Sequence, residues 1–314
     1  MDRLPSPETI REIASVHFLQ QQTRERVGEL VWLPESDGWQ YRVIWQWLQT
    51  TTFLITLGDK QFALKLSSDK KFVKDTQTEL WLREEHGQNT PQIFSTWEGQ
   101  LPGMIGSYFW SIQEYITGPL WWDSQINSEQ LDSFIAQLNT LHQVGHKWTT
   151  GWGKVRSNHH GESKDFPEHV ARFVKKIDEC DFFDQGNRRE RVKAAIEKMQ
   201  KGIGDMLAYE PVLIHNDAHP ENVILDTEAS CRLLDFGNVK WSCPEEEMAV
   251  IQTHCIGSRM WVFREILSKY KTQHPFNDEL FKFFALLNAC SKINTRKNPT
   301  KQMFVWTQLV EPLL

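Results

Sequence analysis

The stretch that decides the fold is Leu213–Gly237, LIHNDAHPENVILDTEASCRLLDFG. It contains Asp217, an asparagine five residues later, and a second aspartate, Asp235, in a DFG triplet. Two short apolar runs flank a turn-forming segment, residues 226–230, and this pattern predicts a β-hairpin. The hairpin would place Asn222 just before its first strand and Asp235 just after its second.

These three side chains are the ones that phosphoryl transfer from a nucleotide uses. A carboxylate orients the accepting hydroxyl, and an Asn/Asp pair holds magnesium on the phosphates. The spacing therefore predicts Asp217 as the catalytic base and Asn222 and Asp235 as magnesium ligands. Histidine-x-aspartate and DFG are each common by chance, so the argument depends on their conjunction with the hairpin.

An upstream strand supports this interpretation. In the segment Phe62-Ala63-Leu64-Lys65, alternation places Ala63 and Lys65 on the same face. The small residue leaves room for an adenine ring, and the lysine can reach the phosphates, as in the V-A-I-K strand of kinases. We expect Glu79, in a helical stretch, to hold Lys65, with Asp75 and Glu84 as alternatives.

Composition excludes several classes of protein. The 314 residues include 24% charged and 40% hydrophobic residues, which is ordinary for a soluble globular chain. The net charge of −6 and the lack of a basic stripe argue against a nucleic-acid partner. The apolar runs are too short to span a membrane. Five scattered cysteines without a CxxC pair predict reduced thiols and a cytoplasmic location.

The sequence patterns divide the chain into a strand-rich front half and a helical back half, so we predict an α+β fold. The N-terminal nucleotide-binding lobe would comprise residues 1–117, and the C-terminal catalytic and substrate lobe residues 118–314. Strands are expected at 39–47, 51–57, 61–66 and 108–113, with Thr50–Thr52 as a hairpin turn. Helices are expected at 5–30, 74–85, 128–141, 167–178, 188–209, 246–270 and 278–290, and a loop at 145–167.

The chain resembles the aminoglycoside phosphotransferase family, within the choline-kinase-like and protein-kinase-like superfamily. The resemblance rests on LIHNDAHPENVILD, LLDFGNVKW, Gln113–Gly118, Leu138–His142 and Glu245–Ala249. It implies a two-lobed protein-kinase-like fold with a small antiparallel-sheet N-lobe, a mainly helical C-lobe, ATP or GTP, and Mg²⁺. Glu114 and Ile116, in the hinge-like segment, would bind the nucleotide, and His215 would brace the catalytic loop.

Two departures from the family pattern stand out. A Gly-rich phosphate loop is lacking, and Thr50–Thr52 stands where it is expected. Asn216 occupies a position where many family members carry glycine. The DFG triplet is intact, which argues against a pseudokinase.

The predicted activity is transfer of the γ-phosphate of ATP to a hydroxyl of a small molecule that is aminoglycoside-like, choline-like or sugar-like. A cationic substrate would meet acidic or aromatic side chains of the back half, namely Asp165, Glu168, Asp178, Glu179, Asp181, Glu245, Glu246, Trp148, Trp152, Trp241 and Trp261. The alternatives are a nucleotide-binding regulatory or interaction protein without turnover, a protein Ser/Thr kinase, which would normally show an A-P-E motif after Gly237, and a magnesium-dependent hydrolase.

Overall fold

A computed structural model describes residues 39–47, 50–57, 59–94, 101–121, 126–144, 151–156, 159–203, 210–227 and 229–314. The helix predicted over residues 5–30 and the side chain of Trp148 lie outside this description. Contacts divide the chain into two compact units between Gly118 and Pro119, whereas the predicted division lies between residues 117 and 118.

The first unit is built on an antiparallel sheet with the strand order β1-β2-β3-β6-β4, to which β5 adds beside β6. Its elements are β1 (Trp39–Trp47), β2 (Thr50–Leu57), β3 (Lys60–Ser67), α1 (Lys71–His86), β4 (Ile93–Phe94), β5 (Gly103–Ile105) and β6 (Tyr108–Glu114). Phe62, Leu64 and Leu66 are buried on one face of β3. The predicted antiparallel-sheet N-terminal region is confirmed.

The threonine run does not form the predicted turn. Thr50–Thr52 begin β2 and pair with Lys65–Ser67 of β3, and Thr50 Oγ1 donates to Ser67 Oγ at 2.9 Å. Threonine is β-branched and suits a pleated, half-buried surface, so strand pairing takes these residues. The threonines therefore belong to the sheet that carries Lys65.

The second unit is mainly helical, as predicted. Its elements are α2 (Ser128–His142), β7 (Trp152–Val155), β8 (Gly161–Ser163), α3 (Phe166–Asp178), α4 (Arg188–Ile203), β9 (Val212–Ile214), β10 (Val223–Ile224), β11 (Arg232–Leu233), β12 (Lys240–Ser242), α5 (Pro244–His254), α6 (Met260–Gln273), α7 (Asp278–Thr295) and α8 (Pro299–Val305). Strands β8-β7-β12-β9 form one sheet, and β10 pairs with β11. No helix among the described residues has the length and apolar character needed to cross a bilayer.

Two predictions for this unit were wrong. The segment predicted as a loop over residues 145–167 contains β7 and β8, whose glycines hide the alternating pattern of a strand. Gly151 directly precedes β7, and a Cβ there would lie 2.4 Å from Ser163 O of β8, so close backbone approach requires glycine at this position. The helix predicted over residues 246–270 is interrupted between α5 and α6, where Gly257 has a φ of 81°.

Helix α5 begins with three consecutive buried glutamates, Glu245, Glu246 and Glu247. Pro244 precedes them at the first turn, where its missing N–H costs nothing, and acidic side chains there suit the helix dipole. Glu245 Oε1 accepts the backbone N–H of Asn277, at 2.9 Å, and so fixes the start of α7.

Glu246 lies at the centre of a buried polar network. Its Oε1 accepts from Lys240 Nζ of β12 at 2.6 Å, and its Oε2 lies 3.1 Å from His169 Nε2 of α3. Ser242 Oγ also donates to Oε2, and Asn288 of α7 reaches Oε1 at 3.5 Å. Burial would raise the pKa of Glu246, but the charges of Lys240 and His169 outweigh it and hold that pKa below its usual range. One carboxylate thereby joins β12, α3, α5 and α7.

Replacing Lys240 with methionine should leave the buried Glu246 without its strongest partner. We expect Lys240→Met to lower the free energy of unfolding by about 3–5 kcal/mol, measured by urea denaturation at pH 7. The control is Lys271→Met, which removes an exposed ion pair with Asp278 and should cost about 1 kcal/mol or less. Equal losses for the two variants would contradict the role given to this network.

Candidate active site

The first unit holds Lys65 beside a buried carboxylate. Lys65 Nζ lies 3.7 Å from Glu79 Oε1 of α1, and Gln113 Nε2 of β6 donates to Glu79 Oε2 at 2.8 Å. Of the two alternatives, Asp75 instead pairs with Lys71, and Glu84 is exposed. The Lys65 side chain keeps 25% of its surface exposed, so its ammonium group is positioned yet still accessible to a ligand.

Ala63 and the predicted hinge residues lie on or next to the same sheet. Ala63 pairs with Gln113 of β6 and lies on the same face of β3 as Lys65. The Glu114 carboxylate accepts from the Gln92 backbone N–H at 3.1 Å, and Ile116 is buried. Since the side chain of Glu114 is used within the fold, any nucleotide contact of this segment would fall to its backbone.

In the second unit, the loop after β9 is held from both sides. His215 Nε2 donates to Leu234 O at 3.0 Å, and its ring packs edge-on against Phe236 with 4.6 Å between centroids. Asn216 has a φ of 62°, in the left-handed region that asparagine and glycine tolerate best. That conformation explains an asparagine at a position where glycine is the common choice.

Four hydrogen bonds fix Asp217. Its Oδ2 accepts from Asn238 Nδ2 at 3.1 Å, and its Oδ1 lies 3.3 Å from His219 Nε2. Its backbone oxygen accepts from Asn222 Nδ2 at 3.0 Å and from His219 N at 2.9 Å. Burial would raise the pKa of Asp217, but the hydrogen bond and charge of His219 outweigh it and hold that pKa well below its usual range. Asp217 is therefore a carboxylate at any pH near neutrality.

The predicted hairpin is confirmed, and it brings Asn222 and Asp235 to adjacent strand ends. Asn222 ends the 3₁₀ turn Pro220–Asn222 before β10, Asp235 follows β11, and Leu234 N donates to Asn222 O at 2.8 Å. Because the Asn222 amide nitrogen bonds to Asp217, its amide oxygen is the atom that can face a cation. Asp235 is exposed. An amide oxygen and a carboxylate are hard oxygen donors of the kind that Mg²⁺ prefers, so these residues fit that ion.

The sequence did not identify Glu247 as the residue that holds the loop. Its carboxylate accepts the backbone N–H of His215 at 2.5 Å and that of Asn216 at 3.0 Å. His142 Nε2 of α2 lies 3.9 Å from the same carboxylate, and His142 Nδ1 lies 3.1 Å from Tyr270 Oη. In the sequence, Glu247 stands out only as part of the Glu245–Ala249 segment that carries the family resemblance, and this pairing across the fold has no signature in the spacing.

Basic side chains adjoin Asp217 on the side of α5 and α7. His254 Nε2 lies 3.7 Å from Asp217 Oδ1, and the rings of His219 and His254 stack 4.2 Å apart at 11°. Lys292 Nζ lies 3.3 Å from His254 Nε2. Burial, with help from Lys292, lowers the pKa of His254 to about 3, so its Nε2 accepts from Lys292.

Asp217, His219 and His254 place three ligand atoms within 4.8 Å of one another, a spacing that a metal ion could use. The Lys292 ammonium group already uses the His254 lone pair, and its charge would repel a cation. We therefore interpret this cluster as a support for Asp217, in which His219 bonds to the carboxylate and stacks on His254. Asn222 and Asp235 remain the residues whose oxygens could hold a cation.

Most side chains predicted to meet a cationic substrate have other partners. Trp152 and Trp241 are buried in the core, as are Glu245 and Glu246. Asp165 caps α3, Glu168 accepts from Lys164 N, Asp178 pairs with Arg189 and Lys193, and Glu179 pairs with Lys175. Of the four tryptophans, Trp261 is exposed. The fold uses these carboxylates for capping and ion pairs, which spacing along the chain does not reveal.

Comparisons with known proteins agree with the fold. The model of the phosphotransferase enzyme family matches residues 11–274. A curated protein of Acanthamoeba polyphaga mimivirus, named as a serine/threonine-protein kinase/receptor, is 25% identical over 145 residues. That match covers 41% of this chain but only 8% of the length of the viral protein.

Solved structures share the architecture at low identity. A spectinomycin phosphotransferase, APH(9)-Ia, in complex with ADP and spectinomycin is 12% identical with a TM-score of 0.63, covering 97% of this chain and 94% of that one. A thermostable mutant of aminoglycoside phosphotransferase APH(4)-Ia, in a ternary complex with AMP-PNP and hygromycin B, is 14% identical with a TM-score of 0.62, covering 87% and 88%. A microcompartment-associated aminopropanol kinase is 14% identical with a TM-score of 0.56, covering 86% and 90%.

Glu247→Gln should loosen the loop that carries Asp217. The substitution turns one acceptor oxygen into an NH₂ donor that faces a backbone N–H, which should cost about 1–3 kcal/mol of unfolding free energy. Hydrogen exchange should show faster exchange at the amides of His215 and Asn216. Glu279→Gln, at an exposed glutamate paired with Lys282, is the matched control. Unchanged protection of the two amides in Glu247→Gln would show that Glu247 does not hold the loop.

Proposed function

Because the chain belongs to the phosphotransferase enzyme family, we propose that it transfers the γ-phosphoryl group of ATP to a hydroxyl of a small molecule. The observation that carries this proposal is the hydrogen-bonded arrangement around Asp217. Asn222 and Asn238, which lie on either side of the hairpin, both donate to that residue. Asp217, the proposed base, is thereby tied to the hairpin that carries Asn222 and Asp235, the two candidate metal ligands.

Asp217 is the proposed catalytic base. Its carboxylate would accept a hydrogen bond from the acceptor hydroxyl and aim the oxygen at the γ-phosphorus. The lowered pKa makes Asp217 a weak base, which suits a loose transition state in which the hydroxyl proton leaves late. Between pH 5 and pH 8 the Asp217 carboxyl does not titrate, since its depressed pKa keeps the carboxylate form down to still lower pH.

Asn222 and Asp235 are the proposed ligands of Mg²⁺. When bound, Mg²⁺ would neutralise charge on the phosphates of the nucleotide. The left-handed backbone of Asp235 begins the turn Phe236–Asn238, so the same turn that presents the Asp235 carboxylate also presents Asn238 to Asp217. A change in this turn would therefore disturb both the ligand and the base.

Lys65 is the proposed phosphate contact in the first unit. Glu79 lies within ion-pair distance of Lys65 and would limit the rotamers of its side chain. Ala63 would face the adenine ring, and the backbone of Glu114 and Ile116 would bind its polar edge. Backbone contacts to the polar edge of the base would determine whether ATP or GTP is preferred.

The main alternative is a nucleotide-binding regulatory protein that does not turn over substrate. It would preserve Lys65, Asn222 and Asp235 but would not require the supports of Asp217, and here His219 and Asn238 both bond to that carboxylate. A protein Ser/Thr kinase is the second alternative, and the kinase name of the viral relative is the comparison that favours it. The two enzymes differ in acceptor, so an assay with small molecules separates them.

Asp217→Asn should abolish orientation of the hydroxyl while leaving the nucleotide in place. We expect the turnover number for phosphoryl transfer to fall by about 10²- to 10⁴-fold, with the dissociation constant of Mg·ATP, measured by calorimetry, within about threefold of that of the native protein. Asp226→Asn, in the exposed hairpin turn, is the matched control and should retain full activity. Transfer by Asp217→Asn at the native rate would exclude Asp217 as the base.

Lys65→Met should remove the proposed contact with the phosphates of ATP and so lower the catalytic efficiency with ATP. Loss of one charge-assisted contact predicts a fall of about ten- to a hundredfold in kcat/KM for ATP, determined at saturating magnesium. Lys71→Met, at an exposed lysine paired with Asp75, should change this parameter by less than about twofold. An unchanged kcat/KM in Lys65→Met would show that Lys65 serves only the ion pair with Glu79.

A further inference from the structure

Lys292 and Arg296 place positive charge near Asp217, and the transfer reaction itself does not explain this charge. Two helices end beside this residue. His254 is the last residue of α5, Lys292 lies in the last turn of α7, and Arg296 follows α7 directly. His219, in the loop that carries Asp217, lies 3.3 Å from Asp217 Oδ1.

From this arrangement we propose that the acceptor is an anionic hydroxylated molecule, with a carboxylate or phosphate group bound by Lys292 while Asp217 orients its hydroxyl. The inference rests on the proposed function and narrows its substrate class. It replaces the cationic acceptor suggested by the sequence, whose expected carboxylates mostly have partners within the fold.

An anion bound by Lys292 and a hydroxyl oriented by Asp217 would lie a few bonds apart. A single nitrogen, His254 Nε2, separates the Lys292 ammonium group from the Asp217 carboxylate, since it lies 3.3 Å from Lys292 Nζ and 3.7 Å from Asp217 Oδ1. The stacked ring of His219 holds the His254 ring in this position. A compact hydroxy acid or sugar phosphate could therefore reach both charged groups at once.

Lys292 is charged but poorly compensated. Among the described residues its Nζ bonds to a neutral imidazole and forms no ion pair with a carboxylate. Burial, followed by the charge of Arg296, lowers the pKa of Lys292, while Asp217 and Glu221 act in the opposite direction. Removing an ammonium group from water without an anion costs free energy, and a bound oxyanion would offset that cost.

Capping of the helix dipole is the simpler explanation for basic residues at the end of a helix. It does not account for the direction of Lys292, whose ammonium group contacts His254 of α5. The two explanations also predict different effects on catalysis. A dipole-capping lysine affects stability alone, whereas a substrate-binding lysine affects the KM of anionic acceptors.

The test compares acceptors that share a carbon skeleton and differ in charge. Gluconate, sorbitol and glucamine form one series, glycerate, glycerol and serinol a second, and glucose 6-phosphate with glucose a third. Each is incubated with the full chain, ATP and Mg²⁺, and mass gain of one phosphoryl group is followed. We expect kcat/KM for the anionic member of each series to exceed that of its neutral counterpart at least tenfold. Comparing the carboxylate acceptors with glucose 6-phosphate shows which oxyanion is preferred.

Variants of α7 show whether Lys292 causes the preference. Lys292→Gln should lose about ten- to a hundredfold in kcat/KM for the anionic acceptor, mostly through KM, and little for the neutral one. Lys292→Arg should restore most of the loss. Lys282→Gln, an exposed lysine on the same helix, is the matched control and should leave all values unchanged. A preference for the cationic acceptors, or an equal loss for every acceptor in Lys292→Gln, would overturn the proposal.

Measurements of ligand binding distinguish a failure of this inference from a failure of the proposed function. If no acceptor gains a phosphoryl group, thermal unfolding is measured with each member of the series in the presence of Mg·AMP-PNP, since a ligand of the folded state raises apparent stability. Stabilisation by the anionic members that is lost in Lys292→Gln would keep the anion site while the transfer activity fails. Equal behaviour of anionic and neutral members would overturn the anion site as well.

Discussion

The buried carboxyl groups at the start of α5 are the constraint on which the second unit depends. A buried carboxylate without a partner is costly, so each of Glu245, Glu246 and Glu247 specifies what must lie beside it. Glu245 fixes the start of α7, Glu246 joins β12 to α3 and α7, and Glu247 holds the backbone of the loop that carries Asp217. One helical turn therefore determines where the loop that carries Asp217 and the last long helix lie.

This arrangement also relates Lys292, the proposed anion-binding residue, to Asp217, the proposed base. The first turn of helix α5 contacts the loop that carries Asp217, because Glu247 accepts a backbone N–H of that loop. The helix ends at His254, which faces Asp217. The start of α7 is held by Glu245, and its last turn carries Lys292, which contacts that same histidine. Because both helices have one end fixed by a buried carboxylate, the basic groups at their other ends have a defined distance from Asp217. The positive charge of Lys292 near Asp217 is thus a property of the fold.

Sequence patterns predicted the structural elements that are determined by residues close together in the chain. The strand of Ala63 and Lys65, the hairpin between Asn222 and Asp235, and the helical back half follow from alternation, turn residues and apolar periodicity, and the family is the one that these motifs indicated. The threonines at 50–52, the strands β7 and β8, and the break at Gly257 were missed because pairing across the sheet and backbone strain decided them. The contacts of Glu247, His254 and Lys292 join residues far apart in the chain, where spacing carries no signal.

We propose that Asp217 directs a phosphoryl group from ATP to an organic hydroxyl and not to water. Isotope transfer tests this most directly. ATP labelled with ¹⁸O at the non-bridging oxygens of its γ-phosphate is incubated with the protein, Mg²⁺ and a mixture of hydroxylated metabolites, and products are read by mass spectrometry. We expect a phosphorylated metabolite that carries all of the label, in an amount equal to the ADP formed. Label recovered only in inorganic phosphate, or ADP absent altogether, would contradict it.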